Sequence, residues 1–259
     1  MRFVRYVVAD EAPAFGIVTG APGNEVVAEI HGDPLSEPVA RTGRTAELSA
    51  VRLLAPVISQ SKIIGFGKNY STAVPLPEPA EHAVMFLMPN TALIGPGEAV
   101  VIPPLTRQVH VEGELAVVIA RRCKNVPADR AAEVIFGYTC ANDVTARDLL
   151  AADGQWARAK GFDTFCPLGP WIETELNTKD LAVRTRRDNT VIQDGSTAQL
   201  IRDVGALIEY TSAAFTLLPG DVILTGTPAG VDLVEPGQSV EIEIEGIGTL
   251  ANPFVRDVS

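Results

Sequence analysis

Apolar runs in this chain are short, and where they alternate with polar residues the period is usually two. In QSVEIEIEG, Val240, Ile242 and Ile244 alternate with Glu241, Glu243 and Glu245, which predicts a half-buried strand with a solvated acidic face. HVEGELAVVIA, residues 110–120, carries the β-branched residues Val111, Val117, Val118 and Ile119 and reads as a further strand. MRFVRYVVAD, FGIVTG, KIIGFG, MFLMP, TALIGP and DVILTG add short strand-like pieces, and Pro219-Gly220 and Pro236-Gly237 mark turns. Helical spacing is rare. VPADRAAEVIF (126–136) has a usable period, and the clearest helix is expected over STAQLIRDVGALIEYTSAAF. There Thr197 is a candidate cap, and Leu200, Val204, Leu207, Ile208, Thr211 and Phe215 form one stripe. Many short strands with few helices predict a β-rich α+β protein.

Residues 1–58 read as a small N-terminal domain without a catalytic constellation, and residues 59–259 as the main, catalytic one. Between them the pattern tightens at KIIGFG. The proline-rich segment 71–83 then predicts a loop able to cover a pocket. With a net charge of −11, the chain should be repelled by nucleic acid and anionic membranes. No apolar run reaches spanning length and no signal-peptide pattern opens the sequence, so a cytoplasmic location is expected. Cys123, Cys140 and Cys166 lack metal-binding spacing and read as inert thiols, and His31 reads as a surface residue.

Chemistry concentrates between His110 and Asp148. On a strand, Glu112 and Glu114 project from the same face, with only Gly113 between them. Two adjacent carboxylates repel and are costly to bury unneutralised, whereas a hard divalent cation with oxygen ligands removes that cost. Asp143 offers a third oxygen ligand at the end of the run 136–140. A helix is expected to start just after it, with Thr145 and Asp148 as a capping box. The same glutamate spacing in EIEIEG has an ordinary solvated reading, so spacing alone does not establish a metal site. Arg147, four residues past Asp143, could bind an anion or brace Asp143 or Asp148.

GKNY (67–70), FLMPNTALIGPGE (86–98), HVEGELAVVI (110–119), GYTCANDVTARD (137–148), GQWARAKGFDTFCPLGPWI (154–172), LLPGDVILTGTPAGV (217–231) and IEGIGTLANP (244–253) occur in this order. Together they resemble the fumarylacetoacetate hydrolase family, in its branch of bacterial diene-dioate isomerases, oxaloacetate decarboxylases and acylpyruvate hydrolases. The resemblance implies a mixed β-roll fold, a homodimer, and Mg²⁺ or Mn²⁺ held by Glu112, Glu114 and Asp143. It places Lys160 in the pocket, where it would bind a substrate carboxylate or move a proton. It also implies that the Thr227 loop receives a carboxylate, with Lys68 and Tyr70 as further contacts.

One departure matters. A histidine three residues after GKNY, and a glutamate three further, normally form the water-activating pair of that branch. Here those positions are Ala73 and Leu76, and Met88 replaces a lysine. His82, beside Glu81, is the histidine candidate that remains, although neighbours on an extended segment should point apart. The expected substrate is a small anionic 2-oxo or 2,4-dioxo acid. Decarboxylation or enol–keto isomerisation is favoured over acylpyruvate-type hydrolysis, and a catalytically silent metal-binding protein is the rival.

Overall fold

The computed structural model describes residues 1–21 and 23–257. Its N-terminal strands are β1 (Arg2–Val7), β2 (Ala14–Thr19), β3 (Val26–Ile30), β4 (Arg41–Glu47) and β5 (Arg52–Leu54). Next come β6 (Ile63–Gly67), β7 (Val84–Met88), β8 (Leu93–Ile94), β9 (Val100–Ile102), β10 (Val109–Val111), β11 (Gly113–Ile119), β12 (Ile135–Asn142) and β13 (Thr145–Ala146). The series ends with β14 (Cys166–Glu173), β15 (Ala182–Arg187), β16 (Thr190–Ser196), β17 (Val222–Leu224), β18 (Asp232–Leu233), β19 (Ser239–Ile244) and β20 (Gly248–Arg256). Helices are α1 (Arg147–Asp153), α2 (Trp156–Lys160) and α3 (Val204–Ala214).

The main sheet runs β4-β3-β2-β1-β14-β12-β11-β17-β6-β7, with β5 beside β1 and β8 beside β14. A second sheet runs β16-β15-β19-β20-β9, and a small one runs β13-β10-β18. The N-terminal strands join the main sheet edge to edge, because Arg2 and Phe3 of β1 pair with Glu173 and Ile172 of β14.

Every residue of β11 is buried, as a strand covered on both faces must be. Leu115, Val117 and Ile119 face one core, which includes Val183, Ile242, Ile244, Leu250 and Phe254 of the second sheet. Ala116 and Val118 face the other, with Phe3, Ile17, Ile30 and Val57 from the first sixty residues. At roughly 1.5–3 kcal/mol for each large aliphatic or aromatic side chain removed from water, these two cores dominate the stability. They also fix the register that sets Gly113 opposite Asn142 and Glu114 opposite Ala141.

Two helix expectations change on inspection. The segment 196–215 is not one helix. Ser196 and Gln199 form a capping box that closes a single 3-10 turn, Thr197–Gln199. Asn69, distant in sequence, then takes the Arg202 N–H (2.9 Å) and carbonyl (3.0 Å), so the backbone there cannot continue a helical ladder. Asp203, not Thr197, caps α3 by accepting from the Ala206 N–H at 2.9 Å. In 126–136 the helical part is a 3-10 segment, Ala128–Val134, before Ile135 enters β12. The segment 71–83 is irregular and mostly exposed, as its prolines predict.

Candidate functional site

The predicted strand 110–120 breaks at Glu112, between β10 and β11, and this break opens the site. The Glu112 N–H donates to Asn142 Oδ1 at 3.1 Å, and the Asp143 N–H donates to the Glu112 carbonyl at 2.9 Å. These crossed bonds bring the ends of β10 and β12 together. Ligand oxygens of Glu112, Glu114 and Asp143 consequently lie within 4.8 Å of one another. Gly113 is required for the approach of the second sheet, since a Cβ there would lie 2.2 Å from Thr185 Oγ1.

Each carboxylate is held in place. Glu114, 1% exposed, accepts from the Gly226 N–H at 2.7 Å. Glu112 Oε1 lies 3.0 Å from the Thr145 hydroxyl, and its Oε2 lies 2.8 Å from Lys160 Nζ. Asp143 Oδ2 pairs closely with the same ammonium. Asp143 Oδ1 is buried without a hydrogen-bond partner. Lys160 is itself 1% exposed and lies near the rings of Phe86 (5.2 Å) and Trp156 (5.7 Å).

Electrostatics follow from this crowding. Burial, then the charge of Asp143, raises the Glu114 carboxyl well above its ordinary value. Burial also raises Asp143, to about 7, against the pull of Lys160. Burial opposes the Lys160 ammonium, but Asp143 and Glu112 outweigh it and hold the group charged. Fully ionised, three carboxylates and one ammonium leave two negative charges, which a divalent cation would cancel. The all-oxygen donor set and the orphaned Asp143 oxygen fit a hard ion of the Mg²⁺ or Mn²⁺ type.

The cluster opens into a cavity of about 680 Å³. Its lining brings together the predicted residues Glu112, Glu114, Lys160, Arg147, Thr227, Lys68 and Tyr70. The Tyr70 hydroxyl is buried without a partner, and burial raises its pKa. Trp156 and Phe66 give the cavity aromatic surface, and a Cβ on Gly67 would meet the Trp156 ring at 2.2 Å.

Several expectations need correction. Thr145 and Asp148 form no capping box. Thr145 lies in β13, where its hydroxyl serves Glu112, and Asp148 accepts from Thr106 Oγ1 (2.5 Å) and the Arg107 N–H (3.0 Å). No ion pair joins Arg147 to Asp143 or Asp148, so it is not their brace. The Thr227 hydroxyl donates to the Gly113 carbonyl at 2.8 Å, which leaves the backbone of its loop as the donor for a ligand. His82 is 81% exposed, lies outside the cavity lining, and approaches Glu81 at 3.8 Å instead of pointing away from it. Met88 is core, while Ala73 is exposed and Leu76 is 38% exposed on the loop.

Two residues of the site lie beyond those expected from sequence: Gln193, whose amide ties Gly113 to the Thr227 loop, and Trp156 on the cavity wall. Trp156 was findable as a large aromatic beside the lysine. For Gln193 there was no signal, because a glutamine in a strand ordinarily faces water.

A carboxylate triad with a charged lysine, beside a cavity in a sheet-rich scaffold, forms the candidate enzyme site. Residues 62–255 match the family described as fumarylacetoacetate (FAA) hydrolase C-terminal, and residues 1–56 match that described as Rv2993c-like, N-terminal. The chain belongs to the fumarylacetoacetate hydrolase family. It is similar to a Mycobacterium smegmatis structure named 5-carboxymethyl-2-hydroxymuconate delta-isomerase, at 52% identity and TM-score 0.93 over 99% of this chain and 100% of that one. A mitochondrial oxaloacetate tautomerase of Xenopus laevis is 38% identical over 80% of this chain and 69% of that protein. Maleylpyruvate hydrolase from Sphingobium sp. SYK-6, solved with manganese(II) and pyruvate, is 30% identical with TM-score 0.81 over 99% of each chain. Among the described residues no helix is long and apolar enough to cross a membrane.

Proposed function

We propose that this chain is a divalent-cation-dependent enol–keto isomerase acting on a small 2-oxo dicarboxylate of the oxaloacetate kind. The observation that carries this reading is the convergence of Glu112, Glu114 and Asp143 beside Lys160, on a cavity whose described lining includes no histidine. The isomerase and tautomerase names of its relatives support isomerisation over decarboxylation.

Glu112, Glu114 and Asp143 would hold the ion. When bound, Mg²⁺ or Mn²⁺ supplies Lewis-acid charge that favours the enolate form of a 2-oxo acid. Lys160 keeps Glu112 and Asp143 aligned and adds a fixed positive charge at the cavity wall. Arg147 and Lys68 complement the distal carboxylate, and the Tyr70 hydroxyl, which has no protein partner, donates to a substrate oxygen. Trp156 and Phe66 offer a flat apolar side to a planar conjugated enol.

Isomerisation takes one proton from the enol oxygen and places one on the adjacent carbon. No water is consumed. Hydrolysis needs a base to activate water, and the lining carboxylates are already engaged by Lys160, Thr145 and the Gly226 N–H.

The test follows the ultraviolet absorbance of the oxaloacetate enol with Mg²⁺, and pyruvate release in parallel. Enol loss should accelerate, stop with EDTA, and precede pyruvate. Pyruvate appearing in step with enol loss would reassign the protein as a decarboxylase. If EDTA lowers thermal stability of a protein that never turns over any of these acids, the cation is structural.

A further inference from the structure

Gln193 sits where the carboxylate cluster meets the cavity loop, and the catalytic reading above does not use it. It lies on β16 of the second sheet and is 1% exposed, while Val191 two residues earlier is 46% exposed. The β15–β16 register shifts between these two positions, leaving the valine exposed and the amide buried, so the amide must be compensated. Its partners do so. Oε1 accepts from the Gly113 N–H at 2.9 Å and lies 2.7 Å from Thr185 Oγ1, while Nε2 donates to Thr227 Oγ1 and the Pro228 carbonyl, both at 2.8 Å. Gly113 N–H can only donate and the Pro228 carbonyl can only accept, so these partners fix the amide's orientation.

The Thr227 hydroxyl closes a ring by donating to the Gly113 carbonyl at 2.8 Å. Both backbone polar groups of Gly113, the residue between the two glutamates, are thereby held, the N–H by Gln193 and the carbonyl by Thr227. Thr227 and Pro228 also line the cavity.

We propose that Gln193 is a positioning residue with two separable arms. Its oxygen fixes the Glu112–Gly113–Glu114 backbone, and with it the spacing of two cation ligands. Its nitrogen fixes the Thr227–Pro228 loop, and with it the wall against which a 2-oxo acid's carboxylate rests. The inference rests on the cation-dependent reading of the site, but it specifies how this chain aligns the ion and the substrate with one side chain.

Two substitutions separate the arms. Gln193→Glu keeps an acceptor towards Gly113 but sets an oxygen against the Pro228 carbonyl and the Thr227 oxygen. Gln193→Leu removes both arms and leaves the Gly113 N–H buried and unpaired. The first measurement is Mn²⁺ affinity of the substrate-free protein by electron paramagnetic resonance. The second is calorimetric binding of oxalate to the Mn²⁺-loaded protein, since oxalate has the flat O–C–C–O edge of an enolised 2-oxo acid.

Gln193→Leu should weaken Mn²⁺ by roughly 10–100-fold, the cost typical of removing a group behind a metal ligand. Gln193→Glu should keep Mn²⁺ affinity near wild type and weaken oxalate about tenfold, as for a lost buried hydrogen bond. Melting temperature controls for folding. If Gln193→Leu does not fold, Gln193→Glu decides alone. For Gln193→Glu, unchanged binding of both probes, or equal loss of both, overturns the two-arm role. A wild-type protein that binds no Mn²⁺ overturns both this role and the function above. The Mn²⁺ and oxalate pattern without oxaloacetate turnover removes only the function.

Discussion

Lys160 Nζ lies 2.8 Å from Glu112 Oε2, so this lysine addresses the carboxylate cluster directly. It pairs with Asp143 as well, and it is almost wholly buried. The ammonium therefore does part of the neutralising that a divalent ion would complete.

Lys160→Met tests this arrangement. Without the ammonium, Glu112 and Asp143 are left unpaired, and breaking a buried pair costs about 3–5 kcal/mol where the remaining charge cannot escape. Proton uptake by Asp143 would soften that loss. The apo protein should melt at a lower temperature while Mn²⁺ binds at least as tightly, because a competing positive charge has gone. Turnover should fall sharply. Weaker Mn²⁺ binding, read by calorimetry, would show that Lys160 organises the ligands more than it competes with the ion.

Glu114→Gln should act in the opposite sense. Burial and the nearby Asp143 charge both disfavour the Glu114 carboxylate, so removing its charge relieves the metal-free protein. Its amide could still be packed near Gly226, but it is a poorer cation ligand. Mn²⁺ affinity should drop by more than the roughly 10–100-fold seen for supporting groups, and apo stability should rise. Wild-type Mg²⁺ affinity and turnover in this variant would remove Glu114 from the site.

The carboxylate cluster was indicated by a glutamate pair at strand spacing, a glycine between them and an aspartate at a strand end, but only the family resemblance set it apart from the solvated glutamates of EIEIEG. The β-rich fold was legible from period-two alternation of the kind seen at 240–245. What stayed hidden depends on partners far away in sequence. Asn69 breaks the expected helix at Arg202, and Thr106 takes the Asp148 side chain that local pattern assigned to a cap. Gln193 is invisible for the same reason, since its four partners come from three separate segments. Local sequence reports propensity, and long-range hydrogen bonds decide where a polar side chain is spent.

Stability should depend on pH in a way the cation reverses. Burial holds Glu114 well above its ordinary 4.5, and it holds Asp143 at about 7 against an ordinary 3.8. Through that window the folded chain keeps protons that the unfolded chain has released, so unfolding free energy falls as pH rises. The contribution is complete below the ordinary values and is lost as pH passes the raised ones. A divalent ion competes with those protons. The gain in melting temperature from saturating Mg²⁺ should therefore grow between about pH 5.5 and pH 8. A gain that shrinks over this range would mean that other groups hold the ion.

His82 supplies the last test, because it separates isomerisation from hydrolysis. It is 81% exposed, faces Glu81 at 3.8 Å, and lies outside the cavity lining, while the loop positions Ala73 and Leu76 carry no base. Enol–keto exchange needs a proton donor and acceptor at the substrate, whereas hydrolysis also needs an activated water. A missing general base costs about 10²–10⁴ in rate, which is enough to order the two reactions. Oxaloacetate enol loss should exceed acetylpyruvate hydrolysis in kcat/KM, and His82→Ala should leave the former near wild type. If hydrolysis can be detected, His82→Ala should reduce it more. Efficient acetylpyruvate hydrolysis that survives His82→Ala would mean that another group activates water, and the preference for isomerisation would fall with it.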